Sequence, residues 1–247
     1  MFQCTVMTKW LRFLCNLYSP GLLNGVGKRK AYIETAVRNE LSIPGSGGSR
    51  HAVEQVLVVA SGYDTLALRL AEEFPHVLFY EVDHPATMAV KRKAVQLYQM
   101  SDEKSIDFQR QSSLSNLRFI AADLTKTPLK NVLLTEDDGL GSYDITKPTA
   151  VVMEGLTMYL HEDDLLNLFN STAEVVGPKS TISFDFFGWK DNKPPVLMAA
   201  KVQFLGESWH WSIEPKNLER FLMRTKWSLL HGPVAFGIEH LATLVKR

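Results

Sequence analysis

Cysteine is nearly absent from this chain. Cys4 and Cys15 are the two present, with no second pair. That excludes a disulfide framework or a cysteine-rich zinc site and makes a reducing compartment the default. The seven histidines show no HxxxH or HExxH spacing, so the sequence supports no metal site. There is no excess of charge: 27 basic residues balance 27 acidic ones, which argues against a surface built for nucleic acid. No run approaches the roughly 18 apolar residues that span a bilayer, so no membrane role is expected, and the expected compartment is the cytoplasm. Internal repeats and low-complexity tracts are missing too. One further absence is local. No acid precedes Glu34, while Lys9, Arg12, Lys28, Arg29 and Lys30 are basic. Met1 to Leu17 reads as a short helix docking Trp10, Leu11, Phe13, Leu14 and Leu17 onto the domain, with organelle targeting as the other reading.

What the chain does have is apolar residues, 45% of the total, enough for one sizeable core. Residues 1–247 read as a single domain, with 1–50 as a helical N-terminal lid and 188–212 as a substrate-side insertion. The organising stretch is Val56 to Asp83, in which an apolar run, a small-residue turn, an amphipathic run and a second apolar run end in an acid. That order is the first half of a nucleotide-binding βαβ unit. Strands are expected near 55–60, 77–83, 117–121, 149–153 and 181–187, alternating with helices. Gly21 to Lys30 reads as a loop entering a helix over Ala31 to Leu41. Lys91-Arg92-Lys93 is expected to face solvent. Strands at Ser228 to Leu230 and Glu239 to Val245 flank Gly232 to Gly237, a connection too short for a helix. The pattern predicts an α/β fold: a mainly parallel sheet, helices on both faces and an antiparallel C-terminal hairpin at one edge.

Ligands of open α/β sheets bind beyond the carboxyl ends of the strands. Those ends carry Ala60-Ser61-Gly62-Tyr63-Asp64, then Glu81 and Asp83, then Asp123-Leu124, then Glu154-Gly155. Buried acids without partners are expensive, so acids at four successive strand ends suggest one shared polar ligand. S-adenosylmethionine supplies the partners: ribose hydroxyls for Asp83, an adenine amino group for Asp123 with Leu124 beside the ring, and an ammonium for Glu154. Gly62 lets the backbone approach. NAD fits less well, because the diphosphate fingerprint needs three glycines. Here one glycine is left, and Asp64 at the helix start would repel a diphosphate.

Gly62-Tyr63-Asp64-Thr65 with Arg69-Leu70, Glu81-Val82-Asp83-His84-Pro85, Ala122-Asp123-Leu124 and Glu154-Gly155-Leu156-Thr157-Met158-Tyr159-Leu160 follow one another in an order and spacing that resembles the leucine carboxyl methyltransferase family. That family includes protein phosphatase methyltransferases and many bacterial O-methyltransferases. The resemblance covers Gly21 to Arg247. It implies a class I methyltransferase sheet with S-adenosylmethionine as cofactor. By the same resemblance Arg29 grips the cofactor carboxylate, as a guanidinium can. Asp83 holds the ribose, Asp123 and Leu124 the adenine, and Glu154 contacts the cofactor. Tyr159 is implied to line the methyl-transfer pocket, with an ordinary core tyrosine as the other reading. The chain departs from the family at Ala60, where a glycine is usual; a methyl group there is expected to crowd the cofactor's methionine portion.

The expected function is S-adenosylmethionine-dependent O-methylation of a carboxylate, on a small molecule or a protein C-terminus. A carboxylate is ionised at neutral pH and needs no general base. A hydroxyl acceptor would need one, and His161 and His210 are the candidates. The alternatives are a catalytically weakened cofactor-binding or interaction protein of the same fold and, behind it, an NAD-dependent oxidoreductase.

Overall fold

Every residue of Gln55–Val59, Thr149–Met153 and Thr181–Phe187 is buried, the mark of strands covered on both faces. The computed structural model describes residues 22–45, 52–102, 115–135, 143–190, 208–237 and 239–247. The N-terminal segment 1–21, most of the insertion (191–207) and the linker 46–51 lie outside the described residues. In chain order the elements are α1 (Leu22–Ser42), β1 (Gln55–Val59), α2 (Leu66–Glu73), β2 (Leu78–Asp83), α3 (Pro85–Asp102), β3 (Leu117–Ala121), α4 (Leu129–Thr135), β4 (Thr149–Met153), α5 (Glu162–Glu174), β5 (Thr181–Phe187), α6 (Leu218–Leu222), β6 (Trp227–Phe236) and β7 (Glu239–Lys246). Short 3₁₀ turns span Thr157–Tyr159 and Pro215–Asn217.

The seven strands form one sheet, ordered β3-β2-β1-β4-β5-β7-β6. β1 pairs in parallel with β2 and β4, β2 with β3, and β4 with β5. β7 runs antiparallel between β5 and β6. The strand order runs outward from β1 to β3 on one side and from β1 to β4 and β5 on the other, so the carboxyl ends of β1 and β4 open a crevice between them.

Alternation along β1 divides the core in two. Leu57 and Val59 join Val82, Phe169, Phe184, Trp211 and Trp227 on one face. Val56 and Val58 join Leu70, Phe79 and the α1 residues Ile33, Val37 and Leu41 on the other. Those three α1 residues lie four apart and are at most 1% exposed. At about 2 kcal/mol for each such side chain, they fasten α1 firmly to the sheet. Arg29 is four residues before Ile33, so it continues the same face toward the strand ends.

Three expectations need correction. Gly21 to Lys30 was expected as a loop, but the helix begins at Leu22. Nothing lies within 4 Å of a Cβ added at Gly25 or Gly27, so packing farther along the helix, rather than any close approach, overrides glycine's cost of about 1 kcal/mol. Lys91 does not face solvent. It is 5% exposed and lies three residues after Met88 and four before Val95, on the buried face of α3, where it pairs with Glu81. Three consecutive helical residues span too wide an arc to share a face. β6, finally, runs through Phe236. Register shifts between Leu229 and Val234 absorb Gly232 and Pro233, which read as a connection.

Candidate functional site

The β1 exit is a tight turn. Ala60 and Gly62 both take left-handed backbone, with φ of +54° and +51°. A Cβ at Gly62 would meet nothing within 4 Å, so glycine there serves the backbone angle and leaves the space above the turn open. Ala60 adopts the same conformation with a side chain, which costs about 1–2 kcal/mol. The sequence placed Ala60's penalty in crowding of a ligand; the structure adds a penalty in the backbone itself.

The turn is clamped to β2. The Gly62 N–H donates to Asp83 Oδ2 at 2.6 Å, and the His84 N–H donates to Asp83 Oδ1 at 2.6 Å. Glu81, grouped with the strand-end acids by sequence, is 1% exposed and spent on Lys91. Asp64 caps α2 by accepting from the Leu66 N–H at 2.5 Å and pairs with Lys30. Burial opposes its charge, but Lys30 and the Leu66 N–H outweigh burial and hold its pKa below the ordinary value.

At the β3 exit Asp123 closes a local turn, accepting from the Thr125 hydroxyl at 2.6 Å and the Thr125 N–H at 3.1 Å, with Lys126 at 2.9 Å. The Thr125 hydroxyl and Lys126 hold its carboxyl well below the usual range. Leu124 packs, partly buried, against the core. The Ala122 N–H donates to the Asp83 carbonyl at 2.9 Å, which ties this turn to Asp83.

At the β4 exit lies a charged cluster. The Arg29 Nε donates to Glu154 Oε1 at 2.9 Å, and its Nη1 donates to Glu239 Oε1 at 3.0 Å and Asp185 Oδ2 at 3.5 Å. Lys30 reaches Glu154 at 3.2 Å. Asp185 is wholly buried. It also accepts from the Gly155 N–H at 2.6 Å, and its carbonyl takes the Thr157 hydroxyl at 2.6 Å. Burial pushes the Asp185 carboxyl up to about 6 despite Arg29 and raises Glu239 as well. For Arg29, burial works against the charge, and Asp185, Glu239 and Glu154 outweigh it. Tyr159 ends the 3₁₀ turn beyond Gly155 and is 42% exposed, so it is not an ordinary core tyrosine.

The structure therefore brings Arg29 and Glu154 into contact and places Gly62 on Asp83, as two clusters along one sheet edge. Asp185 and Glu239 were missed. The signal for Asp185 was present: an acid inside the apolar run Thr181-Ile182-Ser183-Phe184-Asp185-Phe186-Phe187 needs a partner. Glu239 carried no such signal. Two further groupings lie near these exits. Phe187 stacks on Trp189 at 4.3 Å and lies 4.5 Å from Trp209, gathering the described ends of the 188–212 insertion. His161 and His210 face each other with ring centroids 4.1 Å apart, and the His210 N–H donates to the Met158 carbonyl at 2.8 Å. Among the described residues no group of three or more His, Cys, Asp or Glu could hold a metal, and no helix is long and apolar enough to cross a membrane.

Solved structures of methyltransferases share this fold. A candidate methyltransferase from Thermobifida fusca YX superposes with a TM-score of 0.63 at 16% identity, covering 97% of this chain and 88% of that one. Magnesium protoporphyrin IX methyltransferase from Synechocystis PCC 6803, with S-adenosylhomocysteine bound, gives 0.54 at 10% identity over 92% and 85%. The sequence defines the group more narrowly. The leucine carboxyl methyltransferase family model matches residues 16–173, and the chain belongs to that family. Its relatives include two candidate S-adenosyl-L-methionine-dependent methyltransferases. One, YktD of Bacillus subtilis (strain 168), is 26% identical over 158 residues, 64% of this chain and 44% of that protein. The other, from Mycobacterium ulcerans (strain Agy99), is 28% identical over 171 residues, 67% and 47%. The chain thus spans about half the length of these curated relatives.

Proposed function

We propose that this protein is an S-adenosylmethionine-dependent O-methyltransferase that methylates a carboxylate, on a small molecule or a protein C-terminus. The observation that carries the reading is the pairing of an open glycine turn clamped on Asp83 with Arg29 at the neighbouring strand exit. The residues present fit the cofactor. Gly62 leaves room for a ligand against the turn, Asp83 and Asp123 offer carboxylate acceptors, Leu124 provides an apolar flank, and Arg29 and Glu154 suit an amino-acid zwitterion. No diphosphate-binding glycine set is present, so NAD has no comparable cradle.

The bound cofactor supplies an electrophilic methyl group on a sulfonium sulfur. The chain's own part is to bind and orient. Asp83 and Asp123 hold the nucleoside end, Arg29 and Glu154 the amino-acid end, and Tyr159 with the Phe187-Trp189-Trp209 cluster faces the acceptor and limits water. An ionised carboxylate needs no base.

One observation favours a second reading. His161, two residues past Tyr159, meets His210, and such a pair could take the proton of a hydroxyl acceptor. The linkage formed separates the two. Incubation with methyl-tritiated S-adenosylmethionine and a panel of free carboxylic acids and C-terminal peptides is expected to give a base-labile methyl ester. A base-stable methyl ether formed on a phenol, and lost in His161→Ala, would overturn the carboxylate assignment. Binding of S-adenosylmethionine with no transfer to any acceptor class would favour a cofactor-binding protein that has lost catalysis.

A further inference from the structure

The guanidinium of Arg29 is only partly spent. Nε is committed to Glu154, and Nη1 to Asp185 and Glu239. Among the described residues Nη2 has no partner. It lies 3.9 Å from where a Cβ would project from Gly155, whose φ of +65° suits a residue without one. Its two N–H groups remain as donors on a rigid planar fork. Near it is an unspent acceptor: Glu239 Oε2 is buried with no hydrogen-bond partner. The surrounding charge is also unbalanced: among the described residues the ion pairs of Asp64, Glu154, Asp185 and Glu239 run to Arg29 and Lys30, while Lys91, which also acts on Asp64, is paired with Glu81. The cluster therefore suits one carboxylate on a single guanidinium nitrogen and one further cation among its acids. An α-amino acid zwitterion provides both.

We propose that Asp185 and Glu239 are positioning residues for the amino-acid end of the cofactor. They hold Arg29 with Nη2 free to grip the α-carboxylate, and their charge, with that of Glu154, favours the α-ammonium beside it. Asp185 is suited to this because it joins three elements. It fixes Arg29 of α1, the Gly155 N–H at the β4 exit and, through its carbonyl, Thr157. Glu239, at the start of β7, sets the other side of Nη1. Without them the fork would swing to pair bidentately with Glu154, and Nη2 would no longer be free.

This inference rests on the cofactor assignment and is tested by binding. Isothermal titration with two probes separates the roles: S-adenosylhomocysteine carries the amino-acid end, and 5′-methylthioadenosine lacks it. For Glu239→Gln and Asp185→Asn the expected result is a loss of S-adenosylhomocysteine affinity of roughly tenfold or more, with 5′-methylthioadenosine binding unchanged. Equal weakening of both probes would show a merely structural role and overturn the proposal. Unchanged binding of both would overturn it as well. Glu239→Gln lies at a less deeply buried position than Asp185 (8% against 0% exposed) and guards against a folding defect in Asp185→Asn. A wild-type protein that binds neither probe would overturn the cofactor reading itself, an outcome distinct from either failure.

Discussion

Asp83 and Asp123 are satisfied from close by: an N–H one residue on, a hydroxyl two residues on, and the Gly62 N–H across a single strand pairing. Arg29 is satisfied from afar, by acids 125, 156 and 210 positions along the chain. The first arrangement is a set of turns that would hold their shape with little help. The second exists only once α1, β4, β5 and β7 have docked. On the proposed reading, the nucleoside side of the site is thus preorganised by local backbone, and the amino-acid side by tertiary charge pairing, which stands or falls with the packing of α1.

The largest effect that would break this contrast is Arg29→Ala. It leaves Asp185 buried without its cation and is expected to lower stability by about 3–5 kcal/mol, read as a fall in the urea midpoint. Asp83→Ala should behave in the opposite way. Its partners can turn to water, so stability should change little, while S-adenosylhomocysteine affinity drops roughly tenfold or more by titration calorimetry. If Asp83→Ala unfolded the protein and Arg29→Ala did not, the contrast would be wrong.

A smaller effect is one of pH. Burial sets the Asp185 carboxyl at about 6, above its ordinary value of roughly 3.9. Since the native pKa is the higher one, its contribution to stability is fully present below a pH of about 4 and is lost as pH rises through about 6. Arg29, Glu154 and Glu239 face it, and Glu239, also raised by burial, adds in the same direction. Urea midpoints across this window should fall with rising pH in the wild type, and less steeply in Asp185→Asn. The smallest effect sharpens the nucleoside side. Ala60→Gly relieves the left-handed backbone and is expected to gain about 1 kcal/mol, a rise of roughly 2–4 °C in Tm.

The same contrast explains what could be read from sequence. The βαβ order, the acids at Asp83, Asp123 and Glu154, and the edge hairpin are written in runs and turns of a few residues, and the structure has them. Arg29 was reached through resemblance rather than through its partners. Asp185 and Glu239 sit in strands whose neighbours in the sheet are set by topology, and sequence spacing carries no record of which charges a crossover will bring together. Lys91 failed for a related reason: a run of three cations looks solvated until Met88 and Val95 show which face of α3 is buried. The His161–His210 pair was legible only as two separate residues 49 apart.

The most direct test of the account is calorimetric titration of the wild-type protein with S-adenosylhomocysteine and, separately, with NADH. We expect one-site binding of S-adenosylhomocysteine and no heat with NADH. Binding of NADH, or no binding of S-adenosylhomocysteine at millimolar concentration, would contradict it.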